Sequence, residues 1–364
     1  MSGENRNLIH NRKDEHIDIA LYEDVESKTT TWFDSIHFIH ISLPETNMKD
    51  ISIEARLLGK TFSAPVLIEG MTGGTKRGGE INEKLARVAS ELNIPMMVGS
   101  QRVAIEDPSV EWTFRIARDV DPDIFLIGNI GAAQIIEYDV NKVSRAISMI
   151  EADALAIHLN PLQESVQPEG DTNFQGVLKK IDYLSRELSV PIIVKETGAG
   201  ISYEAALMLK QTEIKAIDVS GLGGTSWSAI EVYRAKKVSE ELKMMLGKKF
   251  WNWGIPTAAS IIEVKAAVGN KFEIIASGGI RDGIDVAKAI AIGANFTGLA
   301  RPILKALSGG ENKLKSFLKL VFHEIKNVVF LTGAKNIYEL REKPIVIFPP
   351  LKYWIENRKI ELVR

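Results

Sequence analysis

From residue 64 onward the chain repeats one rhythm: a short β-branched run ends in glycine or polar residues, and a helical pattern usually follows. The runs are Ala64–Gly70, Ile94–Gly99, Asp123–Gly128, Asp153–Asn160, Val190–Glu196, Ile214–Ser220, Phe272–Ser277 and Asn295–Leu299, eight in all. Helical patterns occupy Glu80–Leu92, Ser109–Arg118, Asn141–Glu151, Phe174–Leu188, Ser202–Leu209, Ala229–Leu246 and Ile284–Ile292. Eight apolar runs separated by helices of crossover length predict an α/β fold, a closed parallel (β/α)8 barrel, with a doubly wound open sheet as the alternative.

The longest gap lies between Ser220 and Phe272, after the sixth run. It holds two helical patterns and a loop around "FWNWG", enough chain to cover the top of a barrel. Residues 1–63 read as an N-terminal extension with irregular and strand-like parts, packed on a barrel of residues 64–340. The stretch "ENKLKSFLKLVFHEIKNVVFLTG" reads as a closing amphipathic helix, and residues 341–364 as a tail. No low-complexity linker divides the chain, so one domain is expected.

The balance of 45 basic and 47 acidic residues gives no general reason to expect nucleic acid as a partner. The absence of cysteine excludes disulfides, thiolate nucleophiles and Cys-ligated zinc or iron–sulfur clusters. Flavin, nicotinamide, phosphate and Mg²⁺ chemistry stay open. The polar start, "MSGENRNLIHNRKDEHIDIAL", has no apolar signal segment, and no later run reaches membrane-spanning length. A cytoplasmic protein with no membrane partner is expected.

Ligands of parallel barrels bind at the C-terminal ends of the strands. Here those ends read "EGMTGGT", "GSQR", "GNIGA", "HLNPLQE", "KETGAG", "SGLGGTS" and "SGGIR". In "ALAIHLN", alternation puts Ala154, Ala156, His158 and Asn160 on one face and Leu155, Ile157 and Leu159 on the other. If the larger apolar side chains meet the helices, His158 and Asn160 face the barrel mouth. The same parity groups Lys195 with Ile193, and Ser220 with Asp218.

"SGGIRDG" precedes a helix, so the amides of Gly278 and Gly279, the charge of Arg281 and the helix N-terminus all favour phosphate. "TGLARP" brings Gly298, Ala300 and Arg301 to the next strand end, and simple tight turns are the competing reading. "SGLGGTS" adds Thr225 and Ser226, but it is no Walker motif. Lys195 ends an apolar run; it could form a Schiff base, sit beside an electron-rich ring, or be a structural ion pair. Glu196 should point to the opposite face. His158, Asn160, Gln163 and Arg102 suit polyanionic oxygens. Glu164 could hold Mg²⁺ if a substrate supplies phosphate oxygens; alone it is a poor metal site. Arg12 and Lys13 could fold over a diphosphate or face water. Trp227, Trp251 and Trp253 could cover an apolar tail or simply pack.

Taken together, "NRKDEH", "MTGGT", "GSQR", "HLNPLQE", "VKETGAGIS", "SGLGGTSW", "ASGGIRDG" and "GLARP" closely resemble the type 2 isopentenyl-diphosphate isomerases, flavin enzymes built on a TIM barrel. The resemblance covers nearly the whole chain, and the order of the motifs makes it specific. It implies interconversion of isopentenyl diphosphate and dimethylallyl diphosphate with reduced FMN, Mg²⁺, NAD(P)H as the reductant and no net redox change. It implies that flavin N5 gives and takes the proton through a carbocation-like state. It places Met71, Thr72, Ser100, Asn129, Lys195, Thr225, Gly279, Arg281, Ala300 and Arg301 around FMN. It assigns Arg12, Lys13, Arg102, His158, Asn160 and Gln163 to the diphosphate and Glu164 to Mg²⁺. Gln163, Lys195 and His158 then stand nearest the chemistry, with Gln163 positioning rather than titrating. A homo-oligomer, a tetramer or larger, is also implied. The competing functions are an FMN-dependent oxidoreductase of a phosphorylated or hydroxyacid substrate and a non-catalytic phosphometabolite-binding protein.

Overall fold

Residues 3–364 are described in the computed structural model, with side chains from residue 13 onward. The eight runs form eight parallel strands: β1 (Val66–Ile68), β2 (Met96–Met97), β3 (Leu126–Gly131), β4 (Ala154–Leu159), β5 (Ile192–Glu196), β6 (Ala216–Asp218), β7 (Glu273–Ala276) and β8 (Phe296–Leu299). They close in sequential order, with β8 pairing β1, and the open-sheet alternative falls. Each strand is short and almost wholly buried, as expected where helices cover the outside and side chains fill the inside. Register aligns His158 with Lys195 and Lys195 with Asp218, so β4, β5 and β6 carry three polar side chains in one row near the mouth.

The helices differ from the sequence reading in several places, including short helices at Arg102–Glu106, Ala132–Glu137, Pro161–Val166 and Arg301–Leu307 that it did not contain. The helix after β1 spans Lys76–Leu92 and starts four residues before Glu80. Gly78 and Gly79 lie before the helical pattern read from the sequence, yet Thr75 caps the helix through the Gly78 amide, and a Cβ on Gly79 would lie 2.8 Å from the Trp112 ring. Packing therefore selects glycine against its helix propensity. The pattern at Ala229–Leu246 is two helices, Trp227–Lys237 and Glu241–Lys249, broken at Ser239 with φ +59. A third helix, Thr257–Val268, completes the long β6–β7 connection.

The N-terminal reading also changes. Gly3–Tyr22 is a helix, followed by short strands at Ile36–Phe38, Ala55–Leu57 and Lys60–Phe62. Ile17 and Ile19 are its buried apolar residues among the described side chains. Ile19 joins Val25, Ala229 and Ile230 in a small apolar cluster apart from the barrel core. Its helicity is thus supported by tertiary contact with Trp227–Lys237 rather than by a long amphipathic stripe. After the helix, Val25–Ser27 pairs with Gly224–Ser226: Ser27 N donates to Gly224 O at 2.8 Å and Ser226 N to Val25 O at 2.8 Å. The closing helix is Glu311–Leu331. No helix of the described residues is long and apolar enough to cross a membrane.

Candidate active site

A cavity of about 480 Å³ opens at the C-terminal mouth of the barrel. Every residue that the family resemblance assigns to cofactor, substrate or metal lines it, with Arg12 as the exception, whose side chain lies outside the described residues; Ser226 instead caps the next helix through Ala229 N and donates to Trp251 O at a separate recess. Trp227 also lines the cavity, whereas Trp251 and Trp253 border that small recess, with Trp253 63% exposed.

The β7–β8 end is built largely from backbone. Gly278 and Gly279 have φ +92 and +77, a region that penalises any side chain. Thr257 Oγ1 donates to Gly278 O at 2.6 Å, which turns the Gly279 N–H to the other side of that trans peptide. The Gly223–Gly224 loop packs so closely that a Cβ on Gly279 would lie 2.5 Å from Gly223 O. Arg281 donates to Gly279 O at 2.9 Å and meets Glu26 at 3.0 Å. Arg301 meets the same Glu26 at 2.7 Å and donates to the carbonyls of Ala20 and Glu23. Burial raises the Glu26 pKa, but Arg281 and then Arg301 bring it below its ordinary value.

The helix dipole expected here is not free. In the helix Gly283–Ala291, Glu324 accepts from Gly283 N at 2.7 Å and Asp282 from Asp285 N at 2.8 Å. Carboxylates already occupy two of the first three amides, which leaves the Gly279 region, Arg281 and Arg301 as the groups of this end best placed for an anion.

The opposite end, at β2–β4, is built from side chains held by neighbours. Asn129 Nδ2 donates to Val98 O at 3.2 Å, which leaves its Oδ1 to accept from His158 Nδ1 at 2.8 Å. That bond places the His158 proton on Nδ1 and a lone pair on Nε2. Burial, then the charges of Lys195 and Lys13, push the His158 pKa down to about 3, so the ring is neutral. Arg102 is held by Glu106 at 3.0 Å, and Tyr138 donates to the same Glu106 oxygen at 3.2 Å. Lys13, on the N-terminal helix, donates to Ser100 O at 2.7 Å.

Glu164 is buried with both oxygens engaged. Oε1 accepts from Asn160 at 2.8 Å; Oε2 accepts from Gln167 and from Asp171 N at 2.7 Å. No group of three or more His, Asp or Glu residues able to hold a metal occurs among the described residues. A carboxylate oxygen has a second lone pair, so Glu164 fits a divalent cation whose other ligands come from phosphate and water.

Lys195 stands on the floor. Its Nζ donates to Glu196 O at 2.8 Å and lies 3.4 Å from Asp218 and 3.6 Å from Glu69. Burial opposes its charge, but Asp218 and Glu69 outweigh that and raise its pKa. A raised pKa keeps the amine protonated and works against the Schiff-base reading. The Glu196 carboxylate turns away to accept the amides of Thr197 and Gly198, each at 2.6 Å.

Several acidic and basic partners escaped the sequence reading, among them Glu26, Glu106, Glu69, Asp218, Glu231, Arg234 and His16. Gln163 Nε2 donates to Glu231 at 2.9 Å, Arg234 pairs with Glu231 at 2.6 Å and His16 lies 3.4 Å away. Glu231 is 0% exposed on the side chain. Burial raises its pKa, but the bond from His16, the charges of His16 and Arg234 and the Gln163 amide prevail and bring it down to about 2. For Glu69, Asp218 and Glu231 the available signal was an acidic residue inside an apolar stretch: "VLIEG", "AIDVS" and "SAIEVY".

The model of the FMN-dependent dehydrogenase family matches residues 132–347, more than half of the chain. Solved structures of mandelate oxidase share the fold, one with TM-score 0.65 at 16% identity over 94% of this chain and 98% of that one. Curated isopentenyl-diphosphate delta-isomerases are far closer in sequence. The Thermococcus onnurineus protein is 49% identical over 95% of this chain and 94% of its own. The Pyrococcus horikoshii protein is 50% identical over 95% and 94%, and the Sulfurisphaera tokodaii protein 47% over 97% and 96%. With that identity sustained over nearly its full length, the chain belongs to the isopentenyl-diphosphate delta-isomerase family.

Proposed function

We propose that the protein interconverts isopentenyl diphosphate and dimethylallyl diphosphate, with FMN and substrate sharing the barrel-mouth cavity. The observation that carries this is the pairing of two anion-binding ends in one cavity, with a lysine ammonium on the floor between them. In this reading the FMN phosphate lies by Gly279, Arg281, Ala300 and Arg301. Thr225 and the loop of Met71, Thr72 and Ser100 border the flavin, with Lys195 and Asn129 beneath. Reduced FMN, when bound, supplies the proton donor and acceptor for the alkene.

The chain's own residues hold and orient. Arg12, Lys13, Arg102, His158 and Asn160 take the diphosphate, and Glu164 takes Mg²⁺ bridged to it. Gln163, fixed by Glu231, orients the substrate. Trp227, Ile17 and Ile230 give the apolar tail a dry wall. His158 has a lone pair toward the cavity when neutral, so it becomes a donor to phosphate by taking up a proton as the dianion binds. NAD(P)H is taken as the reductant, a homo-oligomer of at least four chains as the assembly and the cytoplasm as the location. Residues 64–340 form the cofactor-binding unit, 1–63 the extension completing its mouth and 341–364 a tail.

The test is anaerobic incubation with FMN, a reductant, Mg²⁺ and isopentenyl diphosphate, followed by NMR. Dimethylallyl diphosphate should accumulate over many turnovers. No product despite bound reduced FMN would overturn the proposal. An FMN-dependent oxidoreductase, which the dehydrogenase family model keeps in view, would instead consume reductant or reduce flavin in step with substrate.

A further inference from the structure

Below the cavity, Lys195 is offered two carboxylates. Asp218 ends β6 and is in register with Lys195 on neighbouring β5. Glu69 follows β1, four places round the ring of eight from β5, so its side chain reaches across the interior. Both acids are buried, at 4% and 0% exposure for Glu69 and Asp218.

The hydrogen-bond accounting does not close with both acids ionised. Lys195 spends one N–H on Glu196 O, and its distances to the two carboxylates, 3.4 and 3.6 Å, are long for hydrogen bonds. Asp218 Oδ1 is served by Ser277 Oγ at 2.7 Å and Ser220 N at 3.3 Å. Asp218 Oδ2 and Glu69 Oε1 are buried with no hydrogen-bond partner. Glu69 Oε1 packs directly on β8, where a Cβ on Gly298 would lie 1.9 Å from it. Two ionised acids and one ammonium would also leave a buried net negative charge.

One proton resolves these faults. We propose that Glu69 is a protonated positioning residue whose O–H bridges to Asp218, so that Asp218 alone balances Lys195 and the cavity floor is neutral before a ligand enters. The donors on Asp218 stabilise its charge and mark it as the ionised partner. Burial, then the Asp218 charge, raise the Glu69 pKa to about 8, while Lys195 and the Gly70 amide act in the opposite sense. The other titratable groups beside Lys195 are His158, which is neutral, and Glu196, whose carboxyl faces its own loop and whose pKa burial raises to about 7 against the pull of the loop amides. A neutral floor lets Lys195 answer an electron-rich ring without an uncompensated cation below an empty cavity. That last consequence rests on the FMN reading; the proton itself does not.

Two measurements test it. Infrared spectra of the full chain at pH 7 should contain a carboxylic-acid C=O band that Glu69→Gln removes and that disappears as pH rises through about 8. Identical spectra for the two proteins, or a wild-type band absent at pH 7, would overturn the proposal. If Glu69→Gln does not fold, Glu196→Gln decides: it should leave a band that fades as pH rises through about 8, and loss of the whole band in that variant would overturn the proposal.

The second measurement compares affinity for oxidised and reduced FMN. Gln mimics a protonated Glu, so Glu69→Gln should leave the ratio of the two dissociation constants within about twofold of wild type. Asp218→Asn removes a charge and should favour reduced FMN by about tenfold or more. Equal shifts from the two variants would mean that Glu69 is ionised and would overturn the inference. A protein that takes up no FMN would sink the flavin reading, and the infrared result would still decide this one.

Discussion

At the β7–β8 end of the cavity the groups open to an anion are a backbone turn set by Gly278 and Gly279 at φ +92 and +77, flanked by Arg281 and Arg301 on Glu26. At the β2–β4 end they are side chains, each fastened by another: His158 by Asn129, Arg102 by Glu106, and Glu164 by Asn160 and Gln167. The backbone end has almost no freedom, because any Cβ meets a neighbouring main chain. The side-chain end can lose one contact and keep the rest. Substitutions should therefore act abruptly at the first end and by degrees at the second, and each end should fail without the other.

The largest effect is expected for Gly279→Ala. The φ of +77 and the 2.5 Å approach to Gly223 O strain any side chain. Stability should fall by about 2 kcal/mol, with FMN affinity lowered about 30-fold or more. Thermal melts and fluorescence titration would check this, and inorganic diphosphate should still bind. Arg102→Ala should do the reverse: diphosphate affinity falls about tenfold or more, while FMN affinity in calorimetry stays within about twofold. Glu164→Gln should weaken the Mg²⁺ dependence of activity by about tenfold with FMN affinity retained. It should also lower the melting temperature, because an amide N–H₂ would face the donors of Gln167 or Asp171.

Smaller effects probe the fastenings. Glu106→Gln leaves Arg102 charged but loosens its hold, so KM should rise about threefold with kcat little changed. The neutral His158 ring predicts a pH effect. Its folded pKa, about 3, lies below the ordinary value of 6.5. The unfolded chain therefore binds the extra proton first, and stability present above pH 6.5 is lost as pH falls toward 3. Replacing His158 with Asn should flatten that part of the stability curve. Glu231, depressed from 4.5 to about 2, contributes in a lower window, so its loss appears only at more acid pH.

The barrel was legible because each strand is a short apolar run with a polar or glycine end, a local signal. The glycine end of the site was legible for the same reason, since positive φ and close approach leave glycine in the sequence. His158, Asn160, Lys195 and Glu164 were legible as residue types at strand ends. Their partners were not. Glu69 reaches Lys195 across the barrel, and Glu231 reaches Gln163 from a helix 68 residues on. Such pairings depend on ring closure and register, which no local pattern encodes. The helix Gly3–Tyr22 escaped because its support is a tertiary contact around Ile19. Nor does any local pattern show that Glu324, 41 positions away, takes the Gly283 amide at the start of the helix expected to face phosphate.

The most direct test of one cavity with two unlike anion sites is a crystal structure with FMN, Mg²⁺ and isopentenyl diphosphate. The account predicts the FMN phosphate at Gly279 and Arg281. It predicts the diphosphate at His158, Asn160 and Arg102, with Mg²⁺ between it and Glu164. A flavin phosphate at the His158 end, or a diphosphate bound outside the barrel mouth, would contradict it.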